Sequence, residues 1–129
     1  MTRATALEVV RRLCGVLPEV VERPSHGAPT FFVQGKRSFL MLHDDHHGDG
    51  RLALWCAAPE GMQGLLVQAN SETYFVPPYV GHRGWLGVRL DGGIAEDELA
   101  GVVEDAYSCV APKRLLAGAG LTSEGDDPA

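Results

Sequence analysis

Cysteine is scarce in this 129-residue chain: Cys14, Cys56 and Cys109 are an odd number of thiols with no CxxC pair. That pattern excludes a zinc ribbon and a disulfide framework, and because each thiol lies in an apolar stretch all three are expected to be buried and reduced. Long apolar runs are missing as well. Phe39-Leu40-Met41-Leu42 is among the longest and falls far short of a membrane span, and the first residues lack a signal-peptide core, so a cytoplasmic protein without a membrane partner is expected. No GxxxxGK[ST] phosphate loop, no GxGxxG after a strand and no GxSxG elbow occurs, which leaves nucleotide hydrolysis, dinucleotide binding and serine-nucleophile chemistry without a motif.

What is present fits one soluble domain large enough to bury its own core. The net charge of −6 is uneven: residues 1–90 carry nine basic and eight acidic side chains, whereas residues 91–129 carry two basic and nine acidic. An acidic balance argues against strong non-specific nucleic-acid binding, yet leaves room for a local basic patch in the first ninety residues.

Thr5-x-x-Glu8 suggests a capping box opening a helix whose apolar positions Leu7, Val10, Leu13 or Cys14 and Leu17 recur at helical spacing, with Pro18 closing it. Residues 19–29 read as an edge strand interrupted by Pro24 and Pro29. TFFVQ and SFLMLH flank a tight turn at Gly35-Lys36-Arg37, and RLALWCA supplies another strand. Pro59 suits the first turn of a helix over roughly 59–69. Two more strands follow, around Tyr74 and Leu86, then an amphipathic helix over residues 95–110 with Leu99, Val102, Val103, Ala106, Tyr107 and Val110 on one face. The order implies an α+β fold, a mainly antiparallel sheet with helices on one face. Residues 1–117 form the domain, and the acidic, glycine-rich residues 118–129 are expected to be a disordered tail.

Two segments carry candidate chemistry. HDDHHGDGR at 43–51 holds donors for a metal in His43, His46, His47 and Asp49, but adjacent histidines on an extended backbone point apart and glycines surround them, so it reads as a polar hairpin connection. PPYVGHRGW at 77–85 brings Tyr79, His82, Arg83 and Trp85 within seven residues, a mix that can hold a small anionic ligand or an unstacked base, with Trp55 as a further wall of the pocket. Lys36, Arg37, Arg51 and Arg83 lie at turns, where they could meet phosphates.

The N-terminal helix ending in LPEV, the run SHGAPTFFVQGKRSFLML, the segment YFVPPYVGHRGWLGVRLDG and the final EDAYSCVAPKRL together resemble the MmcQ/YjbR family of small bacterial proteins, from about Leu7 to Leu115. The resemblance implies a CyaY-like domain and a DNA-binding module of the double-wing type, working through the sheet face and the basic turns. It brings no catalytic residues and no cofactor, and whether the chain is an enzyme stays open. The alternative is a small-ligand protein, or an enzyme of unknown substrate, with its pocket around the PPYVGHRGW loop. A monomer is expected in either case.

Overall fold

The computed structural model describes residues 1–121. Helix α1 spans Arg3–Gly15 and is capped one turn earlier than expected: the Thr2 hydroxyl accepts from the Thr5 N–H at 3.2 Å while Thr5 Oγ1 accepts from the Thr2 N–H at 2.8 Å. Thr5 therefore sits at the third helical position as the reciprocal half of the box, and Glu8 takes no part in it. Ala6, Val10 and Cys14 form the buried line of the helix, flanked by Leu7 and Leu13.

Strands β1 (Val20–Ser25), β2 (Ala28–Val33), β3 (Arg37–Asp44), β4 (Leu52–Cys56), β5 (Tyr74–Phe75) and β6 (Leu86–Arg89) form one antiparallel sheet in the order β1-β2-β3-β4-β6-β5. β1 is one of the two edge strands, with Pro24 paired opposite Pro29, a place where missing amides do little harm. The β2–β3 hairpin turns on Gln34 and Gly35, both at positive φ, so the turn begins one residue before the expected glycine and Arg37 already belongs to β3.

Between β2 and β3 the register slips: Phe31 pairs with Leu40 and Phe32 with Ser38, leaving Phe39 as the extra residue of a bulge. Phe39 is fully buried and its ring meets Tyr107 edge-on at 5.8 Å. Tyr107 lies on helix α3 (Glu96–Val110), and its hydroxyl donates to the Pro18 carbonyl at 2.8 Å, tying α3 to the exit of α1. Helix α2 (Met62–Ala69) starts three residues later than the sequence suggests. Gly61, at φ 83°, interrupts the helical path, and Pro59 serves only the preceding turn, its carbonyl accepting the Met62 N–H.

A further helix, α4 (Lys113–Ala119), was not expected; it buries Leu115 and Leu116 and ends at Gly120 in the left-handed conformation. The tail anticipated from residue 118 thus begins inside a helix, and residues 122–129 lie outside the described part. Cys14 and Cys56 are buried as expected, whereas Cys109 is exposed because it occupies the outer side of α3. Among the described residues no helix is long and apolar enough to cross a membrane.

Register divides the sheet into two faces. Leu40, Leu42, Leu54, Cys56, Leu86 and Val88 share the face that meets α1 and α3 and are all buried. Met41, His43, Trp55 and Gly87 share the opposite face, where loops take the place of helices.

Candidate functional site

Trp55 stands at the centre of this open face, on β4 between Met41 and Gly87. An indole is too large to leave in water there, and it is only 2% exposed because the ring of His43 on β3 and rings from two loops cover it. His43 lies 3.8 Å from it centroid to centroid, His46 4.6 Å, and Tyr79 6.5 Å.

The β3–β4 loop brings His46 back over the sheet by bending sharply after β3. Asp45 and His47 both take positive φ, which few non-glycine residues adopt, and residues 46–48 form a single 3₁₀ turn. The backbone here is therefore not extended, and His46 and His47 meet edge to face at 4.1 Å instead of pointing apart. Carboxylates hold the bend: Asp45 Oδ1 accepts the Gly50 N–H at 2.7 Å and Asp49 Oδ1 accepts the Arg51 N–H at 2.9 Å. Asp49 is thus occupied as a staple, and among the described residues no group of three or more His, Cys, Asp or Glu is placed to hold a metal ion.

Tyr79 arrives from the other loop. It too has positive φ, and the residue is 70% exposed, with its ring 5.9 Å from His46. Gln63 of α2 pins this loop by donating to the carbonyls of Gly81 at 2.9 Å and Trp85 at 2.6 Å. Gly81 allows the tight path, since a Cβ there would meet Val76 Cγ1 at 2.5 Å.

The expected pocket of Trp55, Tyr79, His82, Arg83 and Trp85 is split by the structure. Trp55 and Tyr79 join His43 of β3 and His46 of the loop after it, while Arg83 lies over the buried Trp85 at 5.1 Å and His82 is exposed on a 3₁₀ turn. The four basic candidates do not form one patch either. Arg51 lies over the Phe75 ring at 4.1 Å, whereas Lys36 and Arg37 lie at the opposite end of β3, about 23 Å away by strand rise, beside Val110 and Pro112. Arg37 pairs with the buried Val33, which sends it toward the helices. Sequence reasoning missed Arg23, which covers Phe32 at 3.8 Å, and also Phe75 and Gln63; only register and loop path bring these into place.

Two buried polar atoms in the cluster have no hydrogen-bond partner, Trp55 Nε1 and His43 Nε2. Such groups normally find partners, since leaving one dry costs about 1–3 kcal/mol. Burial, and after it the adjacent His46, push the His43 imidazole down to about 4, with Asp49 pulling the other way, so His43 is neutral at neutral pH.

That shift has a consequence for stability. Between about 4 and the ordinary 6.5 the unfolded chain holds a proton that the folded chain does not, so stability is complete above 6.5 and falls as pH drops toward 4. For a half-buried ring the loss is on the order of 1–2 kcal/mol. Urea midpoints compared at about pH 7 and about pH 4.5 should show it, and His43→Gln should flatten the difference; an unchanged difference would mean that another group is responsible.

Architecture and site together describe a small α+β protein whose helices cover one sheet face and whose loops build a ring-lined surface on the other. The YjbR family model matches residues 16–109, and the chain belongs to that family. Among solved structures, the Deinococcus radiodurans protein DR2400, described by the domain family DUF419, matches with a TM-score of 0.70 over 95% of each chain at 20% identity, which supports the fold. No curated protein matches the chain.

Proposed function

We propose that this YjbR-family protein is a ligand-binding module whose site is the ring-lined open face, taking a small planar ligand against His46 and Tyr79 above Trp55. One observation carries the reading: the Trp55 indole N–H, a pure donor, is buried without an acceptor in the protein. A ligand oxygen or ring nitrogen would satisfy it once the His46 and Tyr79 rings that cover the indole move aside. Strained backbone at Asp45, His47 and Tyr79 supports the same place, because such strain gathers where loops are held for binding. The test is a fragment screen by NMR on the 15N-labelled full chain. Planar heteroaromatic fragments should shift the Trp55 indole N–H and leave that of Trp85 in place, and Tyr79→Ala should abolish the shift. If no fragment moves the Trp55 resonance, the reading fails.

A second reading keeps the nucleic-acid role of the double-wing type but confines it to this face. Arg23 on Phe32 and Arg51 on Phe75 are cation–ring pairs, and the acidic start of α3, Glu96-Asp97-Glu98, belongs to the helical side. Titration of a single-stranded oligonucleotide and a duplex at two salt concentrations tests it: Arg51→Glu should weaken single-strand binding about tenfold, with Lys36→Glu nearly silent. The opposite ranking would move the contact to the β2–β3 turn, and no binding at low salt would end the nucleic-acid reading.

A further inference from the structure

Beside the ring cluster lies a hollow of about 130 Å3 lined by Arg3, His26, Gly27, His43, Asp44 and His46, among others. Three separate parts of the chain build it: the start of α1, the β1–β2 turn with the start of β2, and the end of β3 with the loop that follows. His26 and Gly27 form the tip of that turn, both at positive φ, so the imidazole is presented by a tight hairpin and not by a floppy segment.

Size and charge restrict what could enter. At about 30 Å3 per water the hollow has room for roughly four waters, and it is well below the ~300 Å3 at which sites for whole organic ligands begin. A phosphate or carboxylate fits within it, which leaves the planar part of a larger ligand to the ring-lined face alongside. The lining offers one fixed positive charge, three imidazoles and a single carboxylate, a donor-rich set. One of those imidazoles, His43, has its Nε2 buried and unpartnered, and His46 belongs at once to the hollow and to the ring stack on Trp55. A group seated in the hollow thus shares His46 with anything stacked against His46 and Tyr79.

We infer that the hollow is an oxyanion seat serving the ring-lined site, so that the ligand is a planar heteroaromatic group carrying a phosphate or carboxylate, with a nucleoside monophosphate unit as the chemistry that fits both parts. The inference rests on the ligand-binding reading of the open face and adds the charge of the ligand to it. Arg3 and His26 supply affinity for the anion, His43 and His46 link it to the stack, and Tyr79 covers the planar part. The same unit could reach the site as a free nucleotide or as the phosphorylated end of a strand.

The experiment titrates the full chain with adenosine 5′-monophosphate, adenosine, inorganic phosphate, and a short thymidine strand with and without a 5′-phosphate, following the Trp55 indole N–H and the histidine ring resonances. The monophosphate is expected to bind at least about tenfold tighter than adenosine. In the Arg3→Gln/His26→Gln double variant, both positions being exposed, that advantage should vanish while adenosine still shifts Trp55. A phosphate-dependent response from the strand but not the free nucleotide would support the seat and identify the strand end as its source. Equal binding of monophosphate and adenosine would overturn the oxyanion seat and leave the ring-lined site standing. If no compound shifts Trp55 or the histidine resonances, both readings fall.

Discussion

Gly87→Val is expected to unfold the protein or to cost at least about 3 kcal/mol, at the upper end for an overpacked interior. Gly87 lies in β6 opposite Trp55 and Phe75, and a Cβ added there would stand 2.5 Å from Cε2 and Cζ of the Phe75 ring. Phe75 cannot swing away freely: it is nearly buried beneath the Arg51 guanidinium. Even Gly87→Ala must displace the ring and with it Arg51, so it should lower the urea midpoint and change any binding that depends on that arginine. Combining Gly87→Ala with Phe75→Leu provides the control. If the crowded ring is the cause, the pair should be more stable than the sum of the single losses; simple additivity would assign the defect to the backbone of β6.

Trp55 should respond very differently to two substitutions. Trp55→Ala empties the middle of the open face, and deletion of a buried indole costs about 3–5 kcal/mol. Trp55→Phe gives up some buried area but also removes the N–H that has no partner, and relief of about 1–3 kcal/mol for that orphaned donor offsets much of the loss. Thermal or urea unfolding should therefore rank Trp55→Phe close to the parent and Trp55→Ala far below. If a ligand supplies the missing acceptor, Trp55→Phe should bind it poorly despite its stability, the usual conflict between a built site and a comfortable fold. A Phe variant as damaged as the Ala variant would mean that the indole is held for its shape alone.

Much of this architecture was legible from local pattern. β2, β3 and β4 follow from short apolar runs bounded by turn residues, β4 being buried on both faces, and α3 follows from helical spacing. α4 was not, since its seven residues have no side-chain cap and only Leu115 and Leu116 buried. The site was legible as composition but not as geometry. Both unusual loops stand out in the sequence, yet nothing local says that His46 would turn back onto Trp55 through left-handed residues at Asp45 and His47. The register that sends Arg37 to the helical side depends on the bulge at Phe39, and a bulge is decided by packing against Tyr107, far away in sequence. For the same reason four basic residues that look alike along the chain end in three different surroundings.

The strand order β1-β2-β3-β4-β6-β5 also shapes how the chain reaches its native state. The first four strands pair with one another in sequence order, through short hairpins whose closure costs little entropy. β6 must instead find β4 across the whole of α2 and β5, and β5 joins the sheet only through β6. The meander is therefore the natural nucleus and the β4–β6 seam the late step, which puts the assembly of Trp55, Gly87 and Phe75 among the last events of folding and among the first to come apart.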